Sequence, residues 1–112
     1  MIEIDAALDE SGIIRSLRAQ GHAGAGARGS DLVCAAVSVL VRSFLRVTEG
    51  RNGIEVRADA KNEGFAAFEA RADTDAGRDF LFAAGEFLVE GLRSVAEEFP
   101  QNCRIKIKNA KL

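Results

Sequence analysis

The chain has 112 residues, 47% of them hydrophobic and 29% charged, with one histidine, two cysteines and a net charge of −2. This composition excludes a disordered chain and argues against a general nucleic-acid binder, which needs a basic excess against the phosphates. No apolar run reaches the ~20 residues of a membrane span. Met1-Ile2-Glu3-Ile4-Asp5 carries acid where a signal peptide carries Lys or Arg. Two distant cysteines are not a secreted disulfide framework, so free thiols in the cytoplasm are expected. The length suits one domain over residues 1–112.

Met1 to Leu8 alternates with Ile2, Ile4, Ala6 and Leu8 on one face, the period of a half-buried strand. Asp9 to Gly12 is a turn. Ile13 to Gly21 reads as a second strand, paired with the first as a hairpin. Ile13, Leu17 and Ala19 share one face, with Arg15 interrupting the apolar pattern. Ile14, Ser16, Arg18, Gln20 and His22 share the other, which makes the imidazole reachable.

A loop containing Gly24, Gly26 and Gly29 follows, able to take unusual dihedrals. Ser30 or Asp31 is the expected N-cap of a helix from about Leu32 to Thr48. Its apolar stripe is Val33, Ala36, Val37, Leu40, Phe44 and Val47. Cys34 then falls in the first turn, and Ser38 one turn later. Ile54, Val56 and Ala58 alternate in a third strand, Lys61 to Gly64 turns the chain, and Phe65 to Asp73 is a fourth strand. Thr74-Asp75 caps a helix from Ala76 to Glu98, with Phe80, Ala84, Phe87, Leu88, Gly91, Leu92, Val95 and Phe99 recurring at helical spacing. Pro100 ends it, and Cys103, Ile105 and Ile107 alternate with Arg104, Lys106 and Lys108 in a last strand. The expected fold is α+β: two layers, a mainly antiparallel five-stranded sheet in the order β-β-α-β-β-α-β, and both helices on one face. The edge strand left over suggests pairing across a homodimer.

The chemistry converges on Cys34 and His22. A thiol in the first turn of a helix meets free N–H groups and the positive dipole end, which favour the thiolate and can steady an oxyanion. A histidine just upstream can take the thiol proton and return it to a leaving amine. An inert cysteine packed on a helix and a surface histidine are the plainer readings of each alone; together they make a nucleophile and its base. Asp31 either caps the helix, orients His22 or holds a peptide backbone. Ser38 either donates a hydrogen bond at the base of the site or packs the helix. Arg28 and Ser30 are placed to touch substrate from the loop. Cys103 reads as structural. No metal or cofactor is expected: His22, Asp31, Cys34 and Cys103 lack the close paired spacing of zinc ligands, and the glycines lack a Gly-Lys-Ser/Thr ending. The rival readings are a ribosome-associated binding module docking through Arg104, Lys106, Lys108 and Lys111, and a thiol redox protein joining Cys34 to Cys103.

Gly21-His22-Ala23-Gly24, then Gly29, then Asp31-Leu32-Val33-Cys34-Ala35-Ala36-Val37-Ser38 also resembles the signature of the ribosomal-processing cysteine protease family, Prp. The resemblance implies a dimeric cytoplasmic endopeptidase that removes an apolar N-terminal extension from bacterial large-subunit ribosomal protein 27. It puts the catalytic cysteine at Cys34 and the catalytic histidine at His22. Its motif aspartate falls on Asp31 and its motif serine on Ser38, with a mobile loop over the site. Asp31, Ser38, Gly21 and Ser30 are the expected substrate-binding residues. Ala25-Gly26-Ala27 departs from the bulkier residues of that loop in the family.

Overall fold

The computed structural model describes residues 1–21, 30–59 and 64–109, with Ser30 and Asp31 described by their backbone alone. Seven elements follow in the expected order: β1 (Ile2–Leu8), β2 (Ile14–Gln20), α1 (Ser30–Thr48), β3 (Ile54–Asp59), β4 (Phe65–Ala72), α2 (Asp75–Glu98) and β5 (Cys103–Asn109). The sheet runs β3-β4-β2-β1-β5. Its pairs are antiparallel except β1 with β5, which are parallel because α2 carries the chain back between them.

Alternation along the strands sends Ile2, Ile4, Ala6, Leu17, Ala19, Phe68 and Ala70 to one face, where both helices cover them. Val33, Val37, Val41 and Phe44 answer from α1, and Leu81, Leu88 and Leu92 from α2. Phe44 stacks on Phe68 with ring centroids 4.7 Å apart, joining α1 to the sheet. The other face carries charge, with Glu55 opposite Arg71 and Arg57 opposite Glu69 across β3 and β4.

The β1–β2 hairpin turns as expected, and Asp9 holds it. Its carboxylate accepts the N–H of Ser11 at 2.8 Å and of Ile13 at 3.0 Å. The expected faces of β2, however, are wrong at Ile14, which is 1% exposed. Ala7 pairs with Ser16 and Leu8 with Ile14, so Arg15 is an extra residue in the ladder. A bulge of this kind resets the alternation. Ile14 and Leu17 therefore both point inward, and Arg15 Nε reaches out to donate to the Ala70 carbonyl at 3.2 Å.

Both helix stripes also differ from expectation. On α1, Val47 is exposed, while Val41 and Thr48 are buried. Thr48 can be buried because its hydroxyl donates to the Phe44 carbonyl at 2.8 Å. On α2, Phe87 is exposed and Leu81 and Val89 are buried. Thr74 does cap α2, its hydroxyl accepting the Gly77 N–H at 2.9 Å. The turn expected at Lys61 to Gly64 lies outside the described residues except for Gly64.

Candidate active site

β2 ends, β1, β4 and β5 begin, and α1 starts, all at one end of the molecule. Gly21 closes β2 there. Its N–H donates to the Gly64 carbonyl at 2.9 Å. Its φ is 113°, and a Cβ at this position would fall on the Met1 carbonyl oxygen. Only glycine meets both conditions. The backbone leaving β2 is therefore held between the starts of β1 and β4, and the next residue in the chain is His22. His22 itself lies outside the described residues, as do Ala23 to Gly29 and the side chains of Ser30 and Asp31.

Cys34 is partly buried at the margin of the core, with a free thiol. Its position corrects the sequence reading. The helix opens at Ser30, so Ser30 and Asp31 form its first turn rather than its cap, and Cys34 stands in the second turn. In that geometry the Cys34 N–H bonds back to the Ser30 carbonyl. The N–H groups left free are those of the opening residues Ser30, Asp31 and Leu32. The side chain of a helical residue leans over the turn before its own, which carries the thiol back toward those groups and the positive end of the helix. An oxyanion bound here would use the opening turn instead of the Cys34 amide.

Ser38 lies one turn beyond Cys34 and is exposed, so it stands on the rim of the site. Cys103 is buried at the start of β5, where loss of water pushes its thiol above the usual range. Both cysteines are unpaired, which leaves the redox reading without its disulfide. No group of three His, Cys, Asp or Glu able to hold a metal occurs among the described residues. Among the same residues, no helix is long and apolar enough to cross a membrane.

The sequence reading passed over one surface feature, a groove of about 430 Å³ on the open face of the sheet, lined by Arg15, Ser16, Glu55, Arg57, Glu69 and Arg71. The alternating charges of β3 and β4 were its signal. Arg71 reaches Glu55 at 2.7 Å and Arg57 reaches it at 3.8 Å, so charges on its wall are paired with one another. It lies on the side of the sheet away from Cys34. The basic strand β5 is compensated in a similar way. Glu3 stands opposite Arg104, 3.8 Å away, and Asp5 stands opposite Lys106. The ribosome-docking alternative loses much of its charge to β1, and Lys111 lies outside the described residues.

No curated protein matches the chain. Among solved structures, it is similar to SMU.848 from Streptococcus mutans, at 27% identity and a TM-score of 0.78, covering 98% of this chain and 96% of that one. It shares its fold with the essential ribosomal processing protease Prp of S. aureus in complex with a substrate peptide. That likeness has 21% identity and a TM-score of 0.80, over 96% of this chain and 100% of the other. The S. aureus protease with a covalently linked product peptide superposes equally well, at 23% identity and a TM-score of 0.79. The family model for cysteine protease Prp matches residues 1–104. With a free thiol near the start of α1 and a match over nearly its whole length, the chain belongs to the cysteine protease Prp family and is a cysteine protease.

Proposed function

We propose that the protein is a cytoplasmic, homodimeric endopeptidase that removes the short N-terminal extension of large-subunit ribosomal protein 27, with residues 1–112 forming one catalytic domain. The observation that carries this reading is the family match over residues 1–104, which includes both His22 and Cys34. The S. aureus structures support a peptide substrate, since that protease was captured with a substrate peptide and with a covalently linked product.

In this reading Cys34 is the nucleophile and His22 its base. His22 accepts the thiol proton, and the sulfur attacks the scissile carbonyl to form a tetrahedral oxyanion. The free N–H groups of the α1 opening turn stabilise that oxyanion. The C–N bond breaks as His22 returns the proton to the leaving amine. Water, deprotonated by His22, then hydrolyses the thioester and restores the thiol. Asp31 and Ser30, in the first turn, and Ser38, on the rim, hold the peptide. Gly21 serves it by fixing the backbone before His22.

The test is incubation of the organism's own ribosomal protein with wild type and with Cys34→Ala, read by mass spectrometry of the N-terminus. One discrete cut, lost in the variant, is expected. An intact substrate with folded wild-type enzyme would refute this choice of substrate.

A further inference from the structure

The groove on the open face of the sheet contains a cation with no counterion. The bulge in β2 turns Arg15 onto that face, where it is partly buried. Its Nε donates to the Ala70 carbonyl at 3.2 Å, and it has no ion pair among the described residues. That single bond tethers the guanidinium and leaves its terminal N–H groups to the groove that Arg15 lines. A charge drawn partly out of water is ordinarily paired. Ser16, the next residue, lines the same groove. It too is partly buried, and its hydroxyl has no hydrogen bond among the described residues.

The neighbouring charges divide unevenly. Glu55 Oε2 accepts from Arg71 Nε at 3.0 Å and lies 2.7 Å from its Nη2, so those two side chains satisfy each other. Arg57 reaches the same carboxylate only at 3.8 Å, with its side chain 81% exposed, a tie that holds it weakly. Glu69 stands between Ser16 and Arg57 in the register and has no ion pair among the described residues. Three arginines thus face two glutamates across about 430 Å³, a local positive excess in a chain whose net charge is −2. A volume of this size suits a small molecule.

We propose that the groove binds a phosphate dianion, free or carried by a small molecule. Arg15 supplies a two-pronged contact to two of its oxygens, the Ser16 hydroxyl donates to a third, and Arg57 closes over them from β3. A carboxylate offers only two oxygens and one charge, so it fits this donor set less well. Glu69 opposes the anion and limits its affinity. The groove lies on the far side of the sheet from Cys34, so the inference is independent of the proposed cleavage.

Amide NMR titration with inorganic phosphate at constant ionic strength tests it. Saturable shifts of the Ser16 and Ala70 amide signals are expected, with acetate and chloride giving weaker, unsaturated ones. Arg15→Gln should weaken binding at least about tenfold, the scale of a lost hydrogen bond to a charged group. Arg15→Lys, which keeps the charge without the fork, should not restore it. Glu69→Gln should tighten it severalfold. Adenosine monophosphate in place of phosphate separates the sources: tighter binding assigns the groove to a small molecule, equal or weaker binding to free phosphate. Shifts that fail to saturate overturn the inference, as do acetate shifts equal to those of phosphate, or an Arg15→Gln protein that binds like wild type. If loss of the Ala70 bond unfolds Arg15→Gln, as circular dichroism would show, Ser16→Ala and Arg57→Gln take its place. Unchanged affinity in both overturns the inference equally.

Discussion

Gly21→Ala is the sharpest perturbation of the site that leaves the proposed catalytic groups untouched. A non-glycine residue held at the observed φ of 113° is strained by about 1–3 kcal/mol. The added methyl would also fall on the Met1 carbonyl oxygen, so the backbone has to retreat. A retreat of about 1 Å is carried to His22, the adjacent residue, and misplacement on that scale costs about 10²-fold in rate. The expected result is a kcat about 10²-fold lower, with a melting temperature lowered by about 4–8 °C per kcal/mol lost. His22 is the only histidine, so its imidazole C2 proton gives one resonance to compare between wild type and variant. That resonance should change its chemical shift in Gly21→Ala. Gly53→Ala is the matched control: its φ is 85° and its Cβ would strike Thr74 at the opposite end of the sheet. It should destabilise comparably and leave the His22 resonance unmoved. A Gly21→Ala enzyme with wild-type kcat and an unmoved histidine signal would refute the reasoning.

Other predictions concern the scaffold. Phe68→Ala removes the ring stacked on Phe44 and should cost about 3–5 kcal/mol in urea unfolding; a loss below 1 kcal/mol would mean the α1–sheet contact collapses to fill the space. Thr74→Ala deletes the cap of α2 and should cost about 1 kcal/mol, read as a lower melting temperature. Burial raises the Cys103 thiol above its unfolded value, so the folded state holds that proton more tightly. Its contribution is complete below the unfolded thiol range and is lost as pH rises through the folded value. Wild type should therefore lose stability above about pH 8.5, and Cys103→Val should flatten that decline. In native protein, iodoacetamide should modify Cys34 and spare Cys103 until the chain unfolds.

The order of elements was legible because strands such as Ile2-Glu3-Ile4 alternate cleanly and Thr74 and Pro100 bracket α2. The facing of β2 was not. A bulge at Arg15 depends on the partner strand, and no local pattern reports it. Thr48 reads as polar until its hydroxyl is seen to bond one turn back, which lets it displace Val47 from the core. Phe87 follows the apolar period of α2, but Gly85 and Gly91 bring that helix down on Ile14 and Leu40 and turn the large ring outward. At the site, the glycine before His22 and the thiol near the start of α1 could be read from spacing. The two-residue shift of the helix start that moves Cys34 to the second turn could not, since it follows from where the helix begins.

The parallel pairing of β1 with β5 bears on how quickly the protein forms. Ile2 is in register with Cys103, so the first strand in sequence is completed by the last. Local hairpins, β1–β2 and β3–β4, can close early, but the β1–β5 ladder must wait for a loop that spans most of the chain. Non-local pairing of this kind places folding toward the millisecond-to-second range. Asn102, whose carbonyl accepts the Ile2 N–H at 2.8 Å, joins in that late step, whereas Met1 meets Gly21 through the β1–β2 hairpin. The backbone just before His22 is therefore framed by β1 and β4, and β5 closes the sheet beside it only at the end.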